Sequence, residues 1–243
     1  MPSTEPAART TLRVLHCSDI HLDSDRGSPL RYREGLEAVL AAGLTAGADL
    51  TLIAGDLFDT NDATEETIDY AKQLFAAHPH TIVMIPGNHD CLAANGIYRR
   101  HDFDAVPNVE MLIAPDGEQR VFPQLGVAVW GRGMVDHLPE YEPLADVPPR
   151  PDGVHWYLGL GHGIFVPDGE HTGRSSPVHE QHIASSPFDY VALGHHHAAM
   201  EVHAGGTAAA FSGSPTDSIG RGATYALVDL HVSADVAVEI LCL

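Results

Sequence analysis

The sequence predicts an α/β fold of stacked layers, and three observations carry that reading. Through the first half, apolar runs of strand length alternate with segments of helical period. From Val109 onward the runs are shorter and divided by turn residues, so the second half is mostly β. At 243 residues and 44% hydrophobic content, the chain can bury a sizeable core.

Leu12–Ser18 reads as the first strand. Arg31 to Ala46 places Leu36, Val39, Leu40 and Leu44 on one helical stripe, and Asp49–Ala54 follows as a buried strand. Asp62 is expected to cap a second helix over Ala63–His78, with Glu65 and Glu66 in its first turn, where the helix dipole favours acids. Thr81–Ile85 is the third strand. The later strands are Val109–Ile113, Gly126–Trp130, Val154–Leu160, Tyr190–Leu193, Thr207–Phe211, Thr224–Asp229 and Val236–Leu241. Leu138 to Gly153 carries Pro139, Pro143, Pro148, Pro149 and Pro151, and reads as an extended surface connection. Neither side of it would own a complete sheet, so residues 1–243 are expected to form a single domain, with residues 1–10 flexible.

Charge and composition exclude several classes. The 13 Lys+Arg against 33 Asp+Glu give a net charge of −20, a surface that repels polyanions. The longest apolar runs fall far short of the ~20 residues of a membrane helix, and the polar N-terminus has no apolar h-region. A cytoplasmic location is expected, with no membrane partner. Cys17, Cys91 and Cys242 are odd in number and irregular in spacing, which suits neither a disulfide framework nor a Cys-rich zinc site. The 17 histidines beside abundant aspartate direct attention to metal ligands.

The polar residues of interest sit where strands end. Asp19 and His21 follow the first strand at spacing two, which in an extended backbone points both side chains to one face. Gly55-Asp56 ends the second strand and Gly87-Asn88-His89-Asp90 the third. Gly161-His162-Gly163 and Gly194-His195-His196-His197 end two later strands, with His195 and His197 again on one face. Sites in open α/β sheets form at the carboxyl ends of strands, so five turns could converge on one crevice. Taken singly each signal is weak: Asp-x-His is commonly a capping or surface pair, and Gly-Asp is a common turn.

In content and order, Asp-x-His, Gly-Asp-x-x-Asp, Gly-Asn-His-Asp, Gly-His and Gly-His-x-His resemble the calcineurin-like metallophosphoesterase superfamily from Asp19 to His197. More narrowly, Leu15-His-Cys-Ser-Asp-Ile-His-Leu-Asp-Ser24, Gly55-Asp-Leu-Phe-Asp59 and Phe211-Ser-Gly-Ser-Pro215 resemble the Mre11/SbcD-type DNA-repair exonuclease branch and its YhaO-like relatives. The resemblance implies a four-layer αββα sandwich of two mixed sheets flanked by helices. It implies one metal held by Asp19, His21, Asp56 and His197 and a second by Asp56, Asn88, His162 and His195, with Asp56 bridging. Hard oxygen ligands mixed with imidazole suit Mn²⁺, with Fe or Zn²⁺ as alternatives. In the family the histidine matching His89 protonates the leaving oxygen, and the residue matching Asp59 orients it; a local helix-side cap is the other reading of Asp59. The implied activity is a phosphodiesterase, nuclease-like, in which a hydroxide bridging the two metals attacks phosphorus. Two divalent ions, two aspartates and one hydroxide leave a crevice charge of about +1, which attracts phosphate despite the acidic exterior.

Asp90 reads as a turn-stabilising carboxylate, and His196 as a residue that packs locally. Arg99, Arg100, Arg132 and Arg174 could each reach a phosphate but read by default as solvated surface. Nucleases of the branch carry a capping domain and a segment that docks on a coiled-coil ATPase. Only about thirty residues follow Pro215 here, so a cap is not expected and an ATPase partner finds no support in this chain. With few cations, contact with long duplex is disfavoured. A small-molecule or cyclic-nucleotide phosphodiesterase, a phosphomonoesterase and a catalytically silent metal-binding module therefore stand as alternatives. The oligomeric state is left open, a homodimer included.

Overall fold

Alternation along β1 (Thr11–Cys17) serves two cores at once: Leu12 and Val14 face one way, Leu15 and Cys17 the other. The computed structural model describes residues 9–216 and 220–243. In chain order β1 is followed by α1 (Pro29–Thr45), β2 (Leu50–Ala54), α2 (Glu65–Ala77), β3 (Thr81–Ile85), α3 (Ile97–Arg100), β4 (Val109–Met111), β5 (Glu118–Phe122) and β6 (Val127–Gly131). The second half adds β7 (Trp156–His162), β8 (Ile164–Val166), β9 (Pro177–His179), α4 (Glu180–Ala184), β10 (Tyr190–Gly194), β11 (Met200–Ala204), β12 (Thr207–Phe211), β13 (Thr224–His231) and β14 (Ala234–Cys242).

Two six-stranded mixed sheets result, in the orders β14-β13-β1-β2-β3-β4 and β11-β12-β10-β7-β6-β5, with β8 and β9 pairing separately. In each sheet the inner strands are parallel; antiparallel β13 and β14 close one edge of the first sheet, whose other edge is the parallel β4, and antiparallel β5 and β11 close both edges of the second. The sheets pack face to face through Val14, Leu52, Val83, Leu158, Leu160 and Ala192. The outer face of the first sheet buries against α1 and α2 through Leu36, Val39, Leu40, Ile68 and Phe75. The outer face of the second is covered by Ile183 of α4 and by Leu144 and Val178. The α/β sandwich of two mixed sheets flanked by helices is thus present, with its last layer reduced to one short helix, the β8–β9 pair and loop segments.

Four local expectations change. Thr64, not Asp62, caps α2: its side chain accepts from Thr67 N, and the helix begins at Glu65. Leu44 is exposed, because the helix meets β1 at Gly43, where the missing Cβ lets Leu15 approach. The proline-rich stretch has no regular element, yet Leu144 within it is buried against the second sheet. Of the stretch expected to be flexible, residues 1–8 lie outside the described residues; Arg9 is anchored by Asp49 at 2.8 Å. The strands β5, β8, β9 and β11 and the helices α3 and α4 had no counterpart in the sequence reading. The shortest of these, β8, β9 and α3, have three or four residues, and β5 is a half-exposed polar edge.

Candidate metal centre

The nine residues singled out by spacing and by the family resemblance lie at one edge of the sandwich. β1, β2 and β3 deliver Asp19, Asp56 and Asn88-His89 from the first sheet, and β7 and β10 deliver His162 and His195 from the second. The convergence does not come from extended backbone. Asp19, His21, Asp56 and His195 have φ of 56°, 56°, 54° and 93°, a region L-residues seldom occupy, so strain is concentrated where the ligand atoms meet. The turns after β1 and β2 are zipped together, Ile20 N donating to Asp56 O at 2.9 Å and Leu22 N to Leu57 O at 2.8 Å. Gly55 and Gly87 are required by close approach: a Cβ at Gly55 would strike the His162 ring, and one at Gly87 the Asp56 carboxylate.

The ligand atoms form three overlapping groups, each within 4.8 Å: Asp19, His21 and His197; His21, Asp56 and His89; Asp19, Asp56 and His162. His162 Nδ1 lies 2.7 Å from Ala54 O, which can only accept, so Nδ1 carries the proton and Nε2 turns into the centre. There Nε2 meets only acceptors, Asn88 Oδ1 at 3.1 Å and Asp56 Oδ2 at 3.3 Å. His195 Nδ1 approaches the same Asn88 oxygen at 2.8 Å, and His21 Nε2 faces His197 Nε2 at 3.2 Å. Such a meeting of oxygen acceptors and imidazole nitrogens around two buried aspartates calls for positive charge. It fits divalent cations in hard-ligand sites.

The electrostatics agree. Burial alone would raise the Asp56 carboxyl, but His162, His21 and His89 hold it well below the usual carboxylate range. Burial opposes protonation of His162, yet Asp56 outweighs it and pushes His162 up to about 9. His195 is lowered to about 3, first by burial and then by His162.

A family model for calcineurin-like phosphoesterase matches residues 12–199. The chain belongs to the calcineurin-like phosphoesterase family. A search of curated proteins finds no match. Among solved structures the chain is similar to TT1561 of Thermus thermophilus, at 14% identity over 96% of this chain and 99% of that one, TM-score 0.64. It is also similar to GAP50, described as the anchor in the inner membrane complex of Plasmodium, at 10% identity over 96% and 85%, TM-score 0.54. At these identities the likeness is one of fold.

Within this calcineurin-like phosphoesterase, Asp59 stands between two histidines. Its main-chain carbonyl accepts from His89 Nδ1 at 2.7 Å, while its carboxylate lies 3.0 Å from His21 Nδ1 and 3.8 Å from His89 Nδ1. The approach to His21 is close but lacks hydrogen-bond alignment. His89 is partly exposed, so its other nitrogen is open to the crevice. Asp90 ties the turn, accepting from Gly87 N, Phe58 N and Tyr98 OH. His196 packs on Phe211, with ring centroids 4.8 Å apart.

Spacing missed the residues that brace Asp19. Ser18 Oγ donates to Asp19 Oδ2 at 2.5 Å, and Ser214 Oγ donates to Asp19 O at 2.7 Å. Ser18 and Ser212 are 3.0 Å apart, so Phe211-Ser-Gly-Ser-Pro215 acts as a brace across the two sheets. Its serines were visible in the sequence without a role. His137, whose ring lies 5.6 Å from that of His195, had no motif to mark it. Arg99, Arg100 and Arg132 hold loop carbonyls of Leu92, Asn61 and Pro115. Arg174 instead lines a cleft beside His195, His196 and His197.

Proposed function

We propose that this calcineurin-like phosphoesterase is a divalent-metal-dependent phosphodiesterase that acts on nucleic-acid-like substrates with short reach. Asp19, His21, Asp56 and His197 would hold one ion and Asp56, Asn88, His162 and His195 the other, with Mn²⁺ preferred over Fe or Zn²⁺. When bound, such a pair polarises phosphoryl oxygens and acidifies water. The observation that carries this reading is the acceptor-only environment of His162 Nε2, whose other nitrogen is fixed by Ala54 O.

The chain's own residues supply the rest. His89 keeps its Nδ1 proton on the Asp59 carbonyl, so in its protonated form the proton on Nε2 is the one free to move to a leaving oxygen. His195 N donates to both Asp19 oxygens, at 3.1 and 3.0 Å, which locks one ligand-bearing turn against the other. Such preorganisation keeps ligand atoms from rearranging as substrate enters. Cys17, Cys91 and Cys242 are unpaired, which supports a reducing, cytoplasmic setting. Among the described residues no helix is long and apolar enough to cross a membrane.

A fold shared with a protein described as an anchor does not by itself establish catalysis, so the test is turnover. The purified protein is assayed with Mn²⁺ and with EDTA on single- and double-stranded DNA, bis-p-nitrophenyl phosphate, p-nitrophenyl phosphate and 2′,3′-cyclic AMP. Metal-dependent cleavage of diesters, short DNA included, is expected. Cleavage of bis-p-nitrophenyl phosphate without any DNA cleavage would move the substrate to small phosphodiesters, and inertness toward all would leave a metal-binding module.

A further inference from the structure

We infer that Arg174 and Arg221 form a subsite for a second anionic group, a terminal phosphate next to the scissile diester. The inference rests on the phosphodiesterase reading and names the substrate feature that reading leaves out.

The two arginines line a cleft of about 400 Å³ whose other walls include His195, His196 and His197, so it opens directly beside the ligand-bearing turn after β10. Arg174 lies close enough to act electrostatically on both His196 and His137. What marks the pair is that both arginines lack a partner and share one cleft, in a chain of net charge −20. Arg9, Arg13, Arg33, Arg120 and Arg150 are each in an ion pair with a carboxylate. Arg99, Arg100 and Arg132 donate to carbonyls that shape loops. Among the described residues, neither the Arg174 nor the Arg221 guanidinium has a hydrogen bond or ion pair, and both side chains are exposed.

With 33 acids on the chain, two unneutralised guanidiniums on one cleft create a local reversal of field at the mouth of the site. A guanidinium matches phosphate through two parallel N–H donors, and two of them suit a dianion better than the single charge of a diester. The diester itself would sit against the metal ligands, leaving the arginines for a phosphomonoester one nucleotide away. A substrate read in this way is an oligonucleotide end bearing a 5′ phosphate, and 13 Lys+Arg against 33 Asp+Glu on the chain favour a short one.

The test compares the dinucleotides pTpT and TpT, which share the scissile bond and differ by the terminal phosphate. Wild type with Mn²⁺ is expected to prefer pTpT in kcat/KM by about ten-fold or more, mainly through KM, and the R174A/R221A variant should lose most of that preference. Equal kcat/KM for the two substrates in wild type, or an undiminished preference in the variant, overturns the subsite. If neither dinucleotide nor bis-p-nitrophenyl phosphate is cleaved, the phosphodiesterase reading has failed instead. Calorimetric titration of EDTA-treated protein with pTpT and TpT then decides the subsite alone: tighter binding of pTpT that R174Q/R221Q abolishes supports it, and equal binding refutes it.

Discussion

Replacing Asp59 by Asn separates two accounts of this residue. If the carboxylate serves His89, the substitution should imitate His89→Ala. The structure places the carboxylate 3.0 Å from His21 Nδ1 and 3.8 Å from His89 Nδ1, and gives His89 the Asp59 carbonyl, which the substitution leaves intact. His21 Nδ1 is buried and has no hydrogen-bonded partner, so Asp59 is its nearest electrostatic support. A carboxylate behind a ligating imidazole raises ligand basicity and fixes the ring, and its loss typically costs about 10–100-fold in metal affinity. Asp59→Asn is therefore expected to raise the Mn²⁺ concentration needed for half-maximal activity by about 10–100-fold, while kcat at saturating metal falls much less than in His89→Ala. The assay is turnover of bis-p-nitrophenyl phosphate against free Mn²⁺, with metal content of the isolated protein as a second readout. Unchanged metal affinity, a kcat loss equal to that of His89→Ala and no further loss in the double variant would refute the assignment to His21.

Three further outcomes follow from the same geometry. His89→Ala should keep its metal content and lose about 10²–10⁴-fold in kcat, the usual contribution of a general acid; full turnover would remove His89 from the reaction. Gly87→Ala drives a Cβ into the Asp56 carboxylate and backbone nitrogen, so both metal content and thermal stability should drop, by about 1–3 kcal/mol for the overpacking alone; a variant with wild-type Tm and metal content would contradict the close approach. His16 is fully buried, hydrogen-bonded to Tyr190 OH at 2.8 Å and lowered by burial to about 3. Its folded form stays neutral while the unfolded form gains a proton below about 6.5, so stability is held above pH ~6.5 and lost as pH falls from there toward 3. The slope is up to about 1.4 kcal/mol per pH unit from this residue. Urea midpoints between pH 7 and 4 should fall less steeply in His16→Gln, and an identical slope would remove His16 as a source.

The sequence made the site legible because its residues sit beside the most regular elements. Asp56 and Asn88 follow buried runs, Leu50–Ala54 and Thr81–Ile85, whose strand character depends on local pattern alone, so the turn after each could be located to within a residue. What local pattern could not give was how Asp19 and His21 converge. Spacing two suggested an extended backbone, whereas the turn is held at positive φ by hydrogen bonds to the neighbouring turn after β2, a contact between segments more than thirty residues apart. The same holds for Ser214, whose bond to Asp19 O spans 195 positions, and for β11, whose partner β12 is needed to make Met-Glu-Val-His-Ala a strand. Asp62 lost the cap of α2 to Thr64 by two residues, a choice between two competent side chains that only the path of the preceding loop decides.

Net charge is the place where composition and structure bear on each other most directly. A value of −20 argues against a phosphate-bearing partner only if charge is spread evenly, and here it is not. Asp19 and Asp56 are buried among imidazoles, where they create the demand for cations instead of repelling anions at the surface. Most remaining acids with a cationic neighbour are on the outside, in pairs such as Glu66 with Arg33 and Asp189 with Arg150, each worth about 0–1 kcal/mol and screened by salt. In the proposed subsite, the cations left without such a partner beside His195–His197 would act over the distance of a single neighbouring phosphate, since the Debye length at physiological salt is about 8 Å. On the proposed reading the acidic exterior and a phosphate-binding crevice are compatible, and a chain with so few cations would favour a short end over a long strand.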